Sequence, residues 1–181
     1  MNCLVCPPLF IGPFAPGHLI PPGAVDALST NAMLHSVLVS GDVLGTPSIG
    51  FVDVRDAAEA QVAGIKTPGN HRVLIGSPEW YDLRDVVNYL ATTRPELKDR
   101  LANPLVVRRA VPVLDNARVV NILGVPITPW RKTVEDGLDS LLKVEREWKE
   151  AGVEPRVIHD NVMRYVLRMH AEQLLKESGQ P

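Results

Sequence analysis

Residues 50–66, Gly50-Phe-Val-Asp-Val-Arg-Asp-Ala-Ala-Glu-Ala-Gln-Val-Ala-Gly-Ile-Lys66, constrain the fold more than any other stretch. A short apolar run there passes without a linker into a helix of small residues. Asp53 is placed to cap that helix, its carboxylate accepting from free backbone N–H groups, and Asp56 three positions on has the spacing of a capping box. Both acids also sit at the positive end of the helix dipole. Helical spacing puts Val54, Ala58, Val62 and Ile65 on one face, with Ala57, Ala60 and Ala63 as thin flanks that permit close packing. Gly64 and Thr67-Pro-Gly-Asn70 are stop signals. The next run, His71 to Gly76, reads as a strand buried on both faces. The unit is therefore strand, helix, strand, with a crossover long enough for parallel pairing.

At 181 residues, the chain has material for one ordinary domain with a sizeable core. Its formal net charge of −2 gives no electrostatic attraction to nucleic acid or to an acidic membrane surface. The first twelve residues are apolar, but Pro7, Pro8 and Pro13 break the run well short of the roughly 20 residues that a membrane span needs. No basic segment precedes it, which argues against a signal peptide. A cytoplasmic protein without membrane or nucleic-acid partners is expected.

In chain order, Asn2 to Cys6 is apolar enough for a buried strand, ended by two prolines that lack backbone donors. Cys3 and Cys6 have CxxC spacing, but residues three apart on a strand point to opposite faces and no second pair exists, so two buried thiols are the better reading. His18 lies alone in a Pro- and Gly-rich loop, with no partner at ligand spacing. Ala27 to Asn31 opens a helix running to about Val39, capped by Ser29 or Thr30, with Leu34, Val37 and Leu38 buried. Gly41 to Ser48 is a turn-rich link. Arg55 pairs locally with Asp56 or Glu59, or reaches a neighbouring loop.

Asp82 and Asp85 frame a further helix with the apolar stripe Leu83, Val86, Val87 and Leu90, which Pro95 ends. Trp80 and Tyr81 either staple onto this helix or line a pocket. Pro104 to Leu114 is an irregular or edge strand. Asn116 to Leu123 is a short helix closed by Gly124. Thr133 and Asp136 suggest another capping box, followed by Val134, Leu138, Leu141, Leu142, Glu145 and Trp148 at helical spacing, with Glu145 the one breach. Gly152 and Pro155 break the chain before a helical segment over 156–177, which covers apolar surface or mediates self-association.

Several of these stretches together resemble a known family. Phe51-Val-Asp-Val-Arg-Asp-Ala-Ala58 with its helix and the His71-Arg-Val-Leu-Ile75 strand is similar to the C-terminal half of extended short-chain dehydrogenase/reductases. The nearest group comprises dihydroflavonol reductases, cinnamoyl-CoA reductases and fungal aldehyde/ketoreductases. Cys6-Pro-Pro-Leu-Phe-Ile-Gly-Pro-Phe14, Ala27-Leu-Ser-Thr30 and Asp115-Asn-Ala-Arg-Val-Val-Asn-Ile-Leu-Gly124 carry the resemblance in the right order. Arg94-Pro-Glu-Leu97 resembles the family's Phe-Pro-x-Leu, with arginine where an aromatic is usual.

The resemblance implies an α/β fold: a partial Rossmann-type remnant with a small parallel sheet, strands near 3–6, 49–52 and 71–76, and packed helices; the extra C-terminal helix read from the residues has no counterpart in it. Residues 1–152 would form the substrate-side portion and 153–181 an added helical tail. It also implies an NADP cofactor and a small carbonyl substrate. Carried onto this chain, Pro7 and Leu9 hold the nicotinamide carboxamide through their backbone, Ser29 faces the cofactor phosphates, and Phe14 is a wall of the substrate pocket.

Two features of the family's chemistry are missing. No glycine-rich turn opens a helix for the pyrophosphate. The tyrosines at 81, 89 and 165 are followed four residues later by Asp85, Thr93 and Met169, so no lysine is placed to lower a tyrosine pKa for proton transfer. The expectation is a truncated oxidoreductase-family chain that is inactive alone; the alternative is a non-catalytic binding or interaction module derived from the substrate domain.

Overall fold

The computed structural model describes residues 2–38, 42–43, 50–79, 81–104 and 114–154. Among the described residues there are three short parallel strand pairs and five α-helices. Strand β1 (Asn2–Cys6) continues past Pro7-Pro8 into β2 (Leu9–Ile11). A 3-10 turn (Val25–Leu28) leads to α1 (Asn31–Ser36), then β3 (Asp42–Val43), β4 (Phe51–Asp53) and α2 (Val54–Lys66). Next come β5 (Asn70–Leu74), α3 (Leu83–Thr93), a 3-10 turn (Pro95–Arg100), β6 (Asn103–Pro104), α4 (Ala117–Leu123) and α5 (Trp130–Glu150). The expected tail helix over 156–177, the side chain of Trp80 and most of 104–114 and 41–48 lie outside the described residues.

The α/β class and the parallel pairing agree with expectation, while the pairing partners differ. The strands flanking α2 do not pair with each other: β5 runs parallel to β1, and β4 runs parallel to β2. One nearly continuous N-terminal strand thus serves both halves of the strand–helix–strand unit. The Ser77 N–H to Phe51 carbonyl bond ties the two pairs together, and the Leu9 N–H to Gly50 carbonyl bond extends the pairing of β2 with β4.

Helix α2 turns its small side to the protein. Ala57, Ala60 and Gly64 are buried, whereas Val62 and Ile65, expected on the packed face, are 53% and 86% exposed. The cause is the closeness of β1: a Cβ on Gly64 would lie 3.1 Å from Cys3 Sγ, so this interface selects for size over apolarity. Gly64 is therefore a contact residue inside the helix, which continues to Lys66. Asp53 caps α2 as expected, accepting from Arg55 N–H at 2.9 Å. Asp56 does not complete a box, because its carboxylate turns away to accept from Thr128 N–H and Oγ1 at 2.6 and 2.7 Å.

At α3 the local reading holds throughout. Asp82 and Asp85 form a reciprocal capping box, and Leu83, Val86, Val87 and Leu90 are buried. Helix α5 begins three residues before the expected Thr133 cap, with Pro129 at its N-cap, and Thr133 lies inside it, donating to Asp53 Oδ2 at 2.8 Å. Val134, Leu138, Leu141 and Trp148 form its buried stripe.

These elements build two cores. The larger gathers Ile11, Leu28, Met33, Leu34, Phe51 and the stripes of α3 and α5. The smaller, around Val52, Ala57, Ala60, Val73 and Ile75, lies where α2 and α4 pack against the sheet. On the opposite face of β1 and β5, no described helix packs against the strands. Leu4 is 56% and Leu74 45% exposed, and the register Leu4 to Arg72 and Cys6 to Leu74 puts all four on that face. Among the described strands, β1 has a partner on one edge alone. Replacing Leu74 with serine is expected to leave unfolding stability within about 0.5 kcal/mol, since a half-exposed leucine loses little burial. The same change should reduce concentration-dependent association in sedimentation velocity, because an apolar sheet face is an association surface.

Candidate functional site

Strand β2 and the start of α1 form the site, and two polar side chains fix it. Asn31, buried at the first turn of α1, clamps Gly12 from both sides: its Oδ1 accepts from Gly12 N–H at 3.1 Å and its Nδ2 donates to the Gly12 carbonyl at 2.8 Å. Gly12 has φ +135°, which only glycine adopts without strain, and Gly137 of α5 packs directly against its backbone. Thr30 donates its hydroxyl to the Phe10 carbonyl. The end of β2 is therefore held by α1, α2 and α5 together.

The four residues anticipated from sequence lie on β2, the segments flanking it and the turn before α1. Pro7 and Leu9 are half-buried on either side of the break between β1 and β2, with Leu9 against the larger core. Ser29 is exposed and has φ +54°, an uncommon conformation for a residue with a side chain. Neither it nor Thr30 caps α1 with its side chain, and α1 is shorter than expected at six residues. The Thr30–Phe10 bond fixes the turn that follows Ser29 against β2. Phe14 lies beyond the Gly12 turn, half-buried, with its N–H donating to Ser140 Oγ at 3.1 Å and its ring stacked on His18 at 5.6 Å. Leu9 turns its N–H to β4, whereas Thr30 and Asn31 bond Phe10 and Gly12 on the other side of the strand, so Ser29 lies across β2 from the Leu9 backbone, and Phe14 sits beyond the Gly12 turn against α5.

Two clusters support the site from behind, and sequence reading found neither whole. In the first, Asp53 accepts from Arg55 Nε at 2.8 Å and from its terminal nitrogen at 2.6 Å, while Arg55 also reaches Asp136 on α5 at 2.6 Å. Arg55 is structural as expected, with different partners. Burial alone would raise the Asp53 pKa, but its hydrogen bonds with Arg55 and Thr133 bring it below the usual carboxylate value. Asp56 goes the other way: burial dominates and raises its pKa. In the second cluster, Glu145 accepts from buried His35 at 2.9 Å and from Arg100 at 2.8 and 3.0 Å. The breach that Glu145 makes in an apolar stripe was the sequence signal for this cluster; its partners on α1 and the second 3-10 turn were not readable.

Neither Tyr81 nor Tyr89 is suited to donate a proton at neutral pH. Burial pushes the Tyr81 pKa far up, with Asp53 adding to the effect. Burial and Glu135 raise that of Tyr89. A tyrosine that hands over a proton in a reduction needs the opposite shift. Among the described residues, no helix is long and apolar enough to cross a membrane.

No family model matches the chain. It is 32% identical over 146 residues to an uncharacterized oxidoreductase of Schizosaccharomyces pombe, a match covering 76% of this chain and 41% of that protein. Gre2 from Candida albicans in complex with NADPH superposes with a TM-score of 0.64 at 20% identity, over 77% of this chain and 43% of that one. Yeast methylglyoxal/isovaleraldehyde reductase Gre2 complexed with NADPH gives 0.59 at 20% identity, over 78% and 43%. UDP-glucose 4-epimerase from Thermotoga maritima gives 0.51 at 18% identity, over 78% and 46%. The chain therefore spans less than half the length of each, and at these identities the solved structures establish its fold.

Proposed function

We propose, from the premise that this chain carries the C-terminal, substrate-side part of the extended short-chain dehydrogenase/reductase fold, that it supplies the pocket wall and outer cofactor contacts of an NADP-dependent carbonyl reductase and does not turn over alone. The observation that carries this reading is one side of the sheet: among the described residues, β1 has an open edge and Leu4 and Leu74 on β1 and β5 stand about half-exposed. A parallel sheet is normally covered on both faces, so this surface is where a nucleotide-binding portion would continue the sheet.

The residues fit the outer edge of the cofactor. The strand at Pro7 and Leu9, which Thr30 and Asn31 hold rigid, would pass beneath the nicotinamide, with the Pro7 carbonyl towards its carboxamide, since the Leu9 N–H is spent on the Gly50 carbonyl. The exposed hydroxyl of Ser29 would meet a phosphate, and Phe14 would close the substrate side. When bound, NADPH supplies the hydride. This chain orients the pocket and excludes water from it, while the pyrophosphate cradle and the proton donor belong to the completing portion. An aldehyde or ketone is the substrate class.

A second reading, a non-catalytic binding module, is favoured by the larger core, which is closed by α1, α3 and α5 without that face of the sheet. One assay separates the two from a complete enzyme. Incubated with NADPH and a panel of aromatic and aliphatic aldehydes and ketones, the pure chain is expected to oxidise cofactor no faster than the blank. A saturable rate, however slow, would show that the chain holds its own proton donor and cradle. If the inactive chain is also monodisperse at high concentration, the binding-module reading takes precedence.

A further inference from the structure

A cleft of about 440 Å³ opens between the segment after β5, the first turns of α3 and the start of α5, away from the β2 edge. Three aromatic rings, Tyr81, Tyr89 and Trp130, form its walls, and Glu79, Asp85 and Arg131 stand at its rim. Tyr81 covers one face of Trp130, with centroids 4.8 Å apart and planes 14° from parallel, and Tyr89 meets Trp130 at 69°. Since Tyr81 occupies one face, the Arg131 guanidinium, 4.5 Å from the Trp130 centroid, lies on the other. It also donates to Glu79 Oε2 at 3.1 Å, the same oxygen that accepts the Trp130 indole N–H at 3.0 Å.

The cleft thus already holds a cation of its own, on an aromatic face and against a carboxylate. That occupant is loosely held, because Arg131 and Glu79 are each half-exposed, and an exposed pair of this kind contributes on the order of 0 to 1 kcal/mol. With Arg131 turned out to solvent, the rim keeps the Glu79 carboxylate, while the Asp85 carboxylate beside it stays on the Asp82 N–H of the α3 capping box. The same aromatic face would then be open to another cation, which such a face attracts more strongly as it desolvates. A neutral or anionic ligand gains neither the ring nor the carboxylate.

We propose that this cleft binds an organic cation, an ammonium or guanidinium on an alkyl stem, which displaces Arg131 from Trp130 and Glu79 while its stem packs on Tyr89. The chemistry is shared by a free amine and by a lysine or arginine side chain of another protein.

The test titrates the full chain with butylguanidinium and butylamine, with n-butanol as the neutral counterpart. The readout is the Trp130 indole N–H resonance, identified by its absence in Trp130→Phe. Both cations are expected to give saturable shifts that weaken with added salt, and butanol none. Arg131→Ala, which removes the competing guanidinium from an exposed position, should tighten cation binding about tenfold or more, and Glu79→Gln should weaken it by a similar factor. An unchanged melting temperature checks that both variants fold. No saturable shift in either the wild type or Arg131→Ala would overturn the proposal, as would butanol binding as well as butylguanidinium. A blocked Gly-Arg-Gly peptide separates the two sources: binding tighter than butylguanidinium assigns the cleft to a protein side chain, and equal or weaker binding assigns it to a free amine.

Discussion

Asp53→Ala is expected to lower the free energy of unfolding by about 3 kcal/mol, the lower end of what breaking a buried ion pair costs, read from urea unfolding. The Asp53 side chain is fully buried and accepts four hydrogen bonds: the Arg55 N–H, two from the Arg55 guanidinium and the Thr133 hydroxyl. One residue therefore caps α2, neutralises Arg55 and fastens β4 to α5. Its removal leaves the Arg55 N–H without its cap and the Thr133 hydroxyl with only the long contact to the Pro129 carbonyl, and the cap alone is worth about 1 kcal/mol. Arg55 is 43% exposed and keeps Asp136, so it rehydrates in part, which holds the cost near the lower end. Thr133→Val should cost about 1 kcal/mol, as for one lost hydrogen bond. An Asp53→Ala loss no larger than that of Thr133→Val would show that the carboxylate is not the joint between these elements.

The second large effect is a loss of stability in acid that runs through Glu145. Burial acts to raise its pKa, but hydrogen bonds from His35 and Arg100 outweigh burial and bring it down from 4.5 to about 2. A carboxylate with a lowered folded pKa contributes stability that is fully present above its unfolded pKa. That contribution disappears as pH falls from 4.5 towards 2. The shift corresponds to roughly 3 kcal/mol at neutral pH. Asp53 acts in the same direction, and Asp56, whose pKa is raised, acts in the opposite one and offsets part of the loss. Glu145→Gln is expected to be less stable than the wild type by about 2 kcal/mol at neutral pH, with the gap closing as the acid range is crossed. A gap of constant size across the range would place the acid response elsewhere.

What the sequence made legible was local. The Asp82–Asp85 capping box, the buried stripe of α3 and the Gly124 stop of α4 each depend on residues within one or two turns, and all three were read correctly. Errors came where a distant partner outbid a near one. Asp56 has the spacing of a capping acid, yet Thr128 claims its carboxylate; Thr133 has the look of a cap, yet it serves Asp53 from inside α5. Helix α2 was misread for another reason: apolarity marks Val62 and Ile65 as buried, whereas the close approach of β1 at Cys3 demands alanine and glycine. For the site, Pro7, Leu9, Ser29 and Phe14 were reached through family resemblance. The Asn31 clamp on Gly12 that steadies them has no sequence pattern, since its partners are 19 residues apart.

The account rests on the sheet being open at β1. The Cys6 carbonyl accepts from Ile75 N–H and so faces β5; by strand alternation, Cys3 and Val5 direct their amides to the other edge. Hydrogen exchange of the dilute, monomeric chain tests this directly. The account predicts near-unprotected exchange at Cys3 and Val5 beside strong protection at Leu4 and Val73. Equal protection at all four would mean that the chain already closes its own sheet and needs no completing portion.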